Sequence, residues 1–410
     1  MKKDIMLIVN YWHFEQEKAS SRYRSFANIL CEKYDLEVVT STFCHLTKKQ
    51  RDEDSLLLEK LPYKMTLRHE KGYKKNIGID RISSYRQFGR NVQKYLEKRK
   101  KPDLIIVSIP SLSVADRVTK YANKNKIPVI VDIQDLWPEA FKMALSIPIV
   151  SDILFYPMKK QADRIYARAD KIMAVSDTYV DRGLRCNNKD TSGLSIYIGS
   201  DSKLIAEKIK GIDIDKPKNE FWVGYVGALG HSYDIESVLK AIKKLEAQDI
   251  KNIKFIVMGD GVLKSHFEQI AKDVGVNVEF TGLLEYGKMM KTLSCCDIAV
   301  NPIIGKSVSS IINKVADYAA AGVPVINTQN SEEYRQLLEK YNDGINVENG
   351  NISALAQAIK KLYTDDLLRK TMSENSTKMY NELFDRQKSY PRLIEEIERL
   401  LEDERIKEKN

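Results

Sequence analysis

Histidine and cysteine are scarce in this chain, five of each among 410 residues, and no Cys/His set stands at metal-ligand spacing. A zinc-organised fold is excluded on that ground. Cys31, Cys44, Cys186, Cys295 and Cys296 are odd in number and unpatterned. They argue against a disulfide framework and for a reducing cytoplasm. Long apolar runs are missing as well, none approaching the ~20 residues that span a bilayer. The opening Met1-Lys2-Lys3-Asp4-Ile5 has neither the long apolar core nor the small-residue cleavage site of a secretion signal. A cytoplasmic chain is therefore expected. Short-period repeats and low-complexity tracts are absent too. What is present is ordinary for a soluble globular protein, 43% hydrophobic and 30% charged residues, with length enough for two cores.

Charge is unevenly placed. The net value is +9, and residues 45–101 carry 17 Lys+Arg against 7 Asp+Glu, interleaved with Tyr63, Tyr73, Tyr85, Phe88 and Tyr95. No nucleic-acid motif accompanies this stretch, so nucleic acid is not an expected partner. An anionic membrane surface met peripherally, or a lipid diphosphate, fits it, as does a merely solvated basic face. Further on, apolar residues at 147–150 and 153–156 precede Lys159 and Lys160. They suit either a dip into the headgroup region or core packing.

Strand and helix patterns alternate through both halves. Strands are predicted at 5–10, 37–40, 104–108, 129–133, 171–175 and 195–198, then at 222–226, 255–258, 278–280, 298–300 and 325–327. Several are fully apolar, the mark of parallel strands covered on both faces. The pattern predicts an α/β protein of two doubly wound domains. The expected division is a first domain over 1–200, a polar linker over 201–219, a second domain over 220–385 and a C-terminal helix over 386–410. That helix places Leu393, Ile394, Ile397, Leu400 and Leu401 on one stripe. It is expected to bury the stripe against the first domain.

Ligands of such sheets bind beyond the carboxyl ends of the strands. The richest segment is DIAVNPIIGKSVSSIINKVADYAAAGVPVINT, residues 297–328. A strand, a loop, a helix capped by Ser309 or Ser310, a stop at Gly322 and a second strand are predicted. Ser310, Asn313, Lys314 and Asp317 share one helix face. A cation and a carboxylate there suit phosphate and ribose hydroxyls, although a solvated polar stripe has the same residues. Gly227-Ala228-Leu229-Gly230-His231-Ser232 follows another strand, Gly259-Asp260-Gly261 with Lys264 a third, and Gly282-Leu283-Leu284 a fourth. Each is weak alone, but four on successive strands converge on one edge. In the first half, the strand 129–133 runs into Gln134-Asp135-Leu136-Trp137-Pro138-Glu139. Asp135 is a candidate catalytic carboxylate or a helix N-cap. Near the N-terminus His13, Ser21 and Arg22 are candidate acceptor contacts, Arg22 as a phosphate grip.

Together these motifs resemble the group 1 glycosyltransferases of the GT-B fold, over nearly the whole chain. The DLWPE run at 135–139, the GALGHSYD loop at 227–234, the GDG turn at 259–261 and NKVADYAAAGVPVI at 313–326 carry the likeness. It is closest to the bacterial subgroup that builds capsule, O-antigen and exopolysaccharide units. The resemblance implies two Rossmann-like domains facing a cleft, the donor on the second and the acceptor on the first. It implies a retaining, metal-independent hexosyl transfer with no cofactor. The donor would be a nucleotide sugar, UDP-linked, and the acceptor a polyprenyl-diphosphate-linked saccharide at the inner membrane face. Donor contacts implied are Gly227, Gly230, His231, Ser232, Gly259, Lys264, Gly282, Leu283, Leu284, Ser309, Asn313, Lys314 and Asp317. Gln134 and Asp135 would face the reacting sugar, and Trp137 the acceptor. The sequence departs from the pattern at Ser309, where the family has a glutamate, and at Ala228, where it has a cation. A sugar-nucleotide epimerase or a catalytically silent scaffold of the same fold are the alternatives.

Overall fold

The short apolar runs form parallel strands. The computed structural model describes residues 2–14, 17, 22–52, 60–76, 78–144, 148–189, 192–304 and 311–407. The first sheet contains β1 (Asp4–Ile8), β2 (Asp35–Ser41), β3 (Lys64–Arg68), β4 (Leu104–Ile109), β5 (Val129–Ile133), β6 (Lys171–Ala174) and β7 (Leu194–Ser195). Their order is β3-β2-β1-β4-β5-β6-β7, every neighbouring pair parallel. The second sheet contains β8 (Phe221–Val226), β9 (Ile253–Met258), β10 (Val278–Gly282), β11 (Ile298–Asn301), β12 (Val325–Asn327) and β13 (Gly344–Asn346), ordered β10-β9-β8-β11-β12-β13 and again parallel. Each sheet reverses strand order beside its first strand, the doubly wound arrangement that opens a ligand-binding crevice there. Central strands such as β1 and β4 are almost wholly buried, as two-sided helical cover requires.

Contacts divide the chain into two units, Met1–Ile196 with Tyr390–Asn410, and Tyr197–Ser389. The helix Arg392–Lys407 joins the first unit's core. Its Leu393, Ile397 and Leu400 pack in one cluster with Ile5, Leu7, Phe26 and Leu30, and its Glu396 lies 3.3 Å from the buried Lys171 of β6. The amphipathic stripe thus finds the surface it needs.

Three expectations are corrected. Residues 201–219 are not simply a linker, because Ser202–Ile209 is a helix capped by the Asp201 side chain on the Lys203 and Leu204 amides. None of that helix's residues is buried, which is why its composition resembles a linker's. It rests on the helix Tyr286–Ser294, where Gly287 leaves room for the Lys208 carbonyl. The boundaries therefore fall after 196 and 389. Strands β3 and β13 were not expected. One alternates polar and apolar residues within the basic stretch, and the other is three half-buried residues long, so neither has an apolar run to announce it. Last, the helix after β11 is Lys314–Ala320, with Asn313 at its cap position. Ile311 and Ile312 are not helical, so the predicted start at Ser309 or Ser310 is wrong; both serines lie outside the described residues.

Candidate active site

In the second unit three loops meet beyond β8, β9 and β10. Gly259 sits so close to the Gly227 carbonyl that a Cβ on it would lie 1.8 Å from that oxygen, and Gly259 forms a β-bridge with Gly282. Backbone bonds from the Leu229 amide to the Asp260 carbonyl and from the Leu263 amide to the Leu229 carbonyl, both 2.9 Å, stitch the first two loops together. Only glycine permits this approach at 259. Lys314 comes up to the same place. Its Nζ would be 2.6 Å from a Cβ on Gly227, whose φ is +139°. Lys264 Nζ lies 3.7 Å from the corresponding point on Gly282 and 3.9 Å from Glu268. Two lysine side chains therefore flank three loops that meet through their glycines.

Lys314 is 9% exposed and has no carboxylate partner among the described residues. Its Nζ donates to the Tyr225 hydroxyl at 3.2 Å and lies 4.4 and 4.0 Å from the Tyr225 and Tyr233 ring centres. Burial pulls its pKa down to about 7. One turn on, Asp317 accepts from the Tyr286 hydroxyl at 2.9 Å and is pushed up to about 6 by burial, with Tyr286 and Arg386 acting the other way. Neither charge is compensated by the other. The tyrosines 225, 233 and 286 were not expected here. A two-residue offset between Tyr225 and Gly227 on one strand face is the nearest thing to a signal.

His231, Ser232 and Asn313 are exposed, and Leu283 is 80% exposed while Leu284 packs against the core. The Ser232 carbonyl accepts from the Ile304 amide at 2.9 Å, tying this loop to the one after β11. A Cβ at Gly230 would meet nothing, so packing does not demand glycine there. Ser309 lies outside the described residues.

In the first unit Asp135 and Gln134 follow β5. Asp135 accepts from the Trp137 indole N–H at 3.3 Å, and burial raises its pKa against the opposing pull of Trp137 and Arg81. Gln134 reaches back to Asp132 at 3.3 Å. Trp137 is buried, with Arg81 over its ring at 4.7 Å. His13 is half-buried, and burial lowers its pKa. Arg22 departs from expectation. It is 4% exposed, stands 3.6 Å from the wholly buried Asp132 and covers the Phe26 ring at 4.7 Å. A carboxylate on a central strand needs a counter-charge, and Arg22 stands where it can supply one. Ser21 lies outside the described residues. Among the described residues no group of three His, Cys, Asp or Glu side chains gathers as a metal cluster.

Residues 207–379 match the family model for group 1 glycosyl transferases. That match lies within the second unit. The chain aligns over 96% of its length, and 99% of the other, with the crystal structure of Anabaena Alr3699/HepE in complex with UDP, at a TM-score of 0.65 and 15% identity. Two Rossmann-like units arranged in sequence this way are the GT-B fold. An alpha-1,4-N-acetyl-D-galactosaminyltransferase of Campylobacter jejuni, named for a diNAcBac-PP-undecaprenol-linked GalNAc substrate, is 26% identical over 163 residues, 39% of this chain and 43% of that protein. A GDP-mannose-dependent phosphatidylinositol monomannoside mannosyltransferase of Corynebacterium glutamicum is 28% identical over 141 residues, 33% of this chain and 36% of that one. The chain spans less than two thirds of the curated relatives it matches. The glycine loops, Lys314 and Asp317 all fall inside the matched range.

Proposed function

We propose that this chain is a retaining glycosyltransferase that moves a hexosyl group from a nucleoside diphosphate sugar, a UDP-sugar, to a saccharide carried on a lipid diphosphate during cell-surface polysaccharide synthesis. The observation that carries the reading is Lys314, a buried lysine with no carboxylate partner among the described residues, beside three touching glycine loops. An anion placed there restores the missing charge and meets backbone amides at close range. The UDP held by the Anabaena protein and the polyprenyl-diphosphate substrate after which the Campylobacter relative is named point the same way for those proteins.

In this reading Asp317 accepts hydrogen bonds from the ribose hydroxyls, and the loop of Gly282, Leu283 and Leu284 holds the base. As the bond from the sugar C1 to the diphosphate breaks, negative charge grows on the departing oxygens. Lys314, Lys264 and the amides after Gly227 stabilise that charge, the term that dominates many enzymes' rate gains. The acceptor hydroxyl oxygen bonds to C1 on the face that the diphosphate leaves, and its proton passes to the departing diphosphate oxygen. Asp135, kept in place by Trp137, orients the acceptor. Protein cations serve where a metal otherwise would, so transfer is expected to persist in EDTA.

The test is release of nucleoside diphosphate from a panel of nucleotide sugars by the full chain, with and without a lipid-linked saccharide. Slow release alone and faster release with acceptor are expected. No release from any donor under either condition removes the reading. Asp135→Asn is expected to abolish the acceptor-stimulated part and keep the slow hydrolysis; full transfer by that variant removes Asp135 from the chemistry.

A further inference from the structure

The first unit holds a second positive cluster, built from residues that follow the carboxyl ends of β1, β2, β3 and β5; the Glu70 and Asp135 carboxylates feel Arg81 without pairing with it. Arg81 opens the helix Ile79–Lys98 and sits among aromatic rings, its guanidinium 4.7 Å from the Trp137 ring centre, 5.3 Å from Tyr85 and 5.6 Å from Tyr73. Its N–H groups reach the Tyr85 and Tyr11 hydroxyls, each at 2.7 Å, and the Asn76 carbonyl. All three acceptors are neutral, and of five N–H donors one on each terminal nitrogen is left over. Lys48 lies alongside, bonded to His45 Nδ1 at 3.1 Å and the His45 carbonyl at 2.6 Å, with the Tyr73 ring at 5.0 Å. Neither cation has a carboxylate in ion-pair contact among the described residues. His45 records the local potential. Its pKa is driven down to about 4, by burial first and then by Lys48, Arg81 and His13.

We propose that Arg81 and Lys48, framed by Tyr11, His45 and Trp137, form an oxyanion subsite that holds a phosphate, diphosphate or carboxylate group of an anionic saccharide acceptor. The residual guanidinium N–H pair and the third Lys48 N–H supply charge-assisted donors to such a group. Of the rings beside them, Tyr11 and His45 are half-buried and able to meet a sugar ring, whereas Tyr73, Tyr85 and Trp137 are buried. Asp135 shares this neighbourhood through Trp137 and Arg81, so an anion seated here places the attached saccharide next to the carboxylate assigned to the acceptor. The geometry arises from residues 11, 45, 48, 81 and 137, far apart in sequence, which is why the sequence alone shows only a diffuse basic stretch. This subsite rests on the reading of Asp135 as the acceptor end, and it deepens that reading by making the acceptor anionic at a defined point.

Histidine imidazole NMR on the full chain tests it, with only five histidines to resolve. The probes are inorganic pyrophosphate, glucuronate and a short-chain polyprenyl diphosphate in micelles. His45 is expected to shift on binding and its pKa to climb from about 4 toward the ordinary imidazole value, while His231 reports any binding at the second unit's loops separately. Arg81→Gln and Lys48→Gln are each expected to weaken the His45-reported affinity at least ~10-fold while the His231 response is kept. Lys48→Gln covers the case in which Arg81→Gln disturbs folding, since the Lys48 hydrogen bonds go to His45, three residues away. A response to both phosphorus probes and none to glucuronate assigns a phosphate group; a response to glucuronate alone assigns a uronate. No movement of His45 with any probe, or equal movement in both variants, overturns the subsite. Failure of nucleoside diphosphate release would strike the transferase reading and leave the His45 response as it is.

Discussion

In the proposed transferase, folding and binding pull Lys314 in opposite directions. Burial without a counter-charge lowers its pKa from near 10.5 to about 7. Between those values the unfolded chain holds the proton that the folded one has released, so this group's contribution to stability rises with pH through that window. A bound diphosphate reverses the preference and favours the ammonium. Donor binding near pH ~8.5 is therefore expected to take up a proton, read as a dependence of calorimetric enthalpy on the buffer's ionisation enthalpy. Lys314→Met is expected to remove that dependence and weaken donor binding ~10-fold or more. Binding that moves no proton in the wild type would dissociate Lys314 from the phosphate. Asp317 shows the mirror image. Its pKa is raised to about 6, so its contribution is favourable at low pH and is lost as pH rises through that value. Asp317→Asn removes a buried charge that is costly at neutral pH. A higher melting temperature near pH ~7.5, shrinking toward pH ~4.5, is expected together with a donor KM raised several-fold. Unchanged donor kinetics would separate Asp317 from the ribose.

At the scale of elements, the C-terminal helix is the plainest case of a pattern that needs a partner. Ile397 is wholly buried in the first unit's core, roughly 200 residues or more in sequence from the strands it covers. Ile397→Ala is expected to cost about 2–5 kcal/mol, read from the first unit's transition in denaturant. A change confined to the second unit's transition would contradict that packing. The same stripe of Leu393, Ile397 and Leu400 was readable from its spacing alone, as were the apolar strands β4 and β5, because burial on both faces leaves little freedom in residue choice. The glycine loops were readable for a related reason, since backbone contact at Gly259 admits no side chain. Strands β3 and β13 were not, being edge strands with half their surface in water. Nor was Arg22: its sequence neighbours suggest a loop-side cation, whereas its counter-charge, Asp132, lies 110 positions on and appears only when the helix Arg22–Lys33 and β5 are packed. The tyrosines that touch Lys314 and Asp317 and the cage around Arg81 were hidden by the same distance in sequence.

For the whole molecule, charge and exposed apolar surface have to be weighed together. Net charge is +9, and no helix among the described residues is long and apolar enough to cross a membrane. The helix Pro148–Arg168 of the first unit turns Phe155 onto Phe141, with ring centres 5.9 Å apart, and leaves Ile153, Leu154 and Tyr156 exposed at 74, 63 and 54%. Lys159 and Lys160 are exposed on the next turn, Lys160 Nζ standing 5.3 Å from the Tyr156 ring. Of the two fates open to this segment, core packing is ruled out for these three side chains. Apolar tips with adjacent lysines suit shallow insertion among anionic headgroups, where each lysine near the surface contributes about 1 kcal/mol and salt screens it. A transferase using a lipid-borne acceptor would gain from being held at that surface. The full chain is expected to float with phosphatidylserine-containing vesicles at low salt and to be released at high salt. Ile153→Ser with Leu154→Ser is expected to weaken flotation while leaving slow nucleoside diphosphate release from the donor unchanged. If that double variant floats as well as the wild type, attachment comes from the basic stretch at 45–101 alone, and if the wild type never floats, Ile153, Leu154 and Tyr156 do not insert into a membrane.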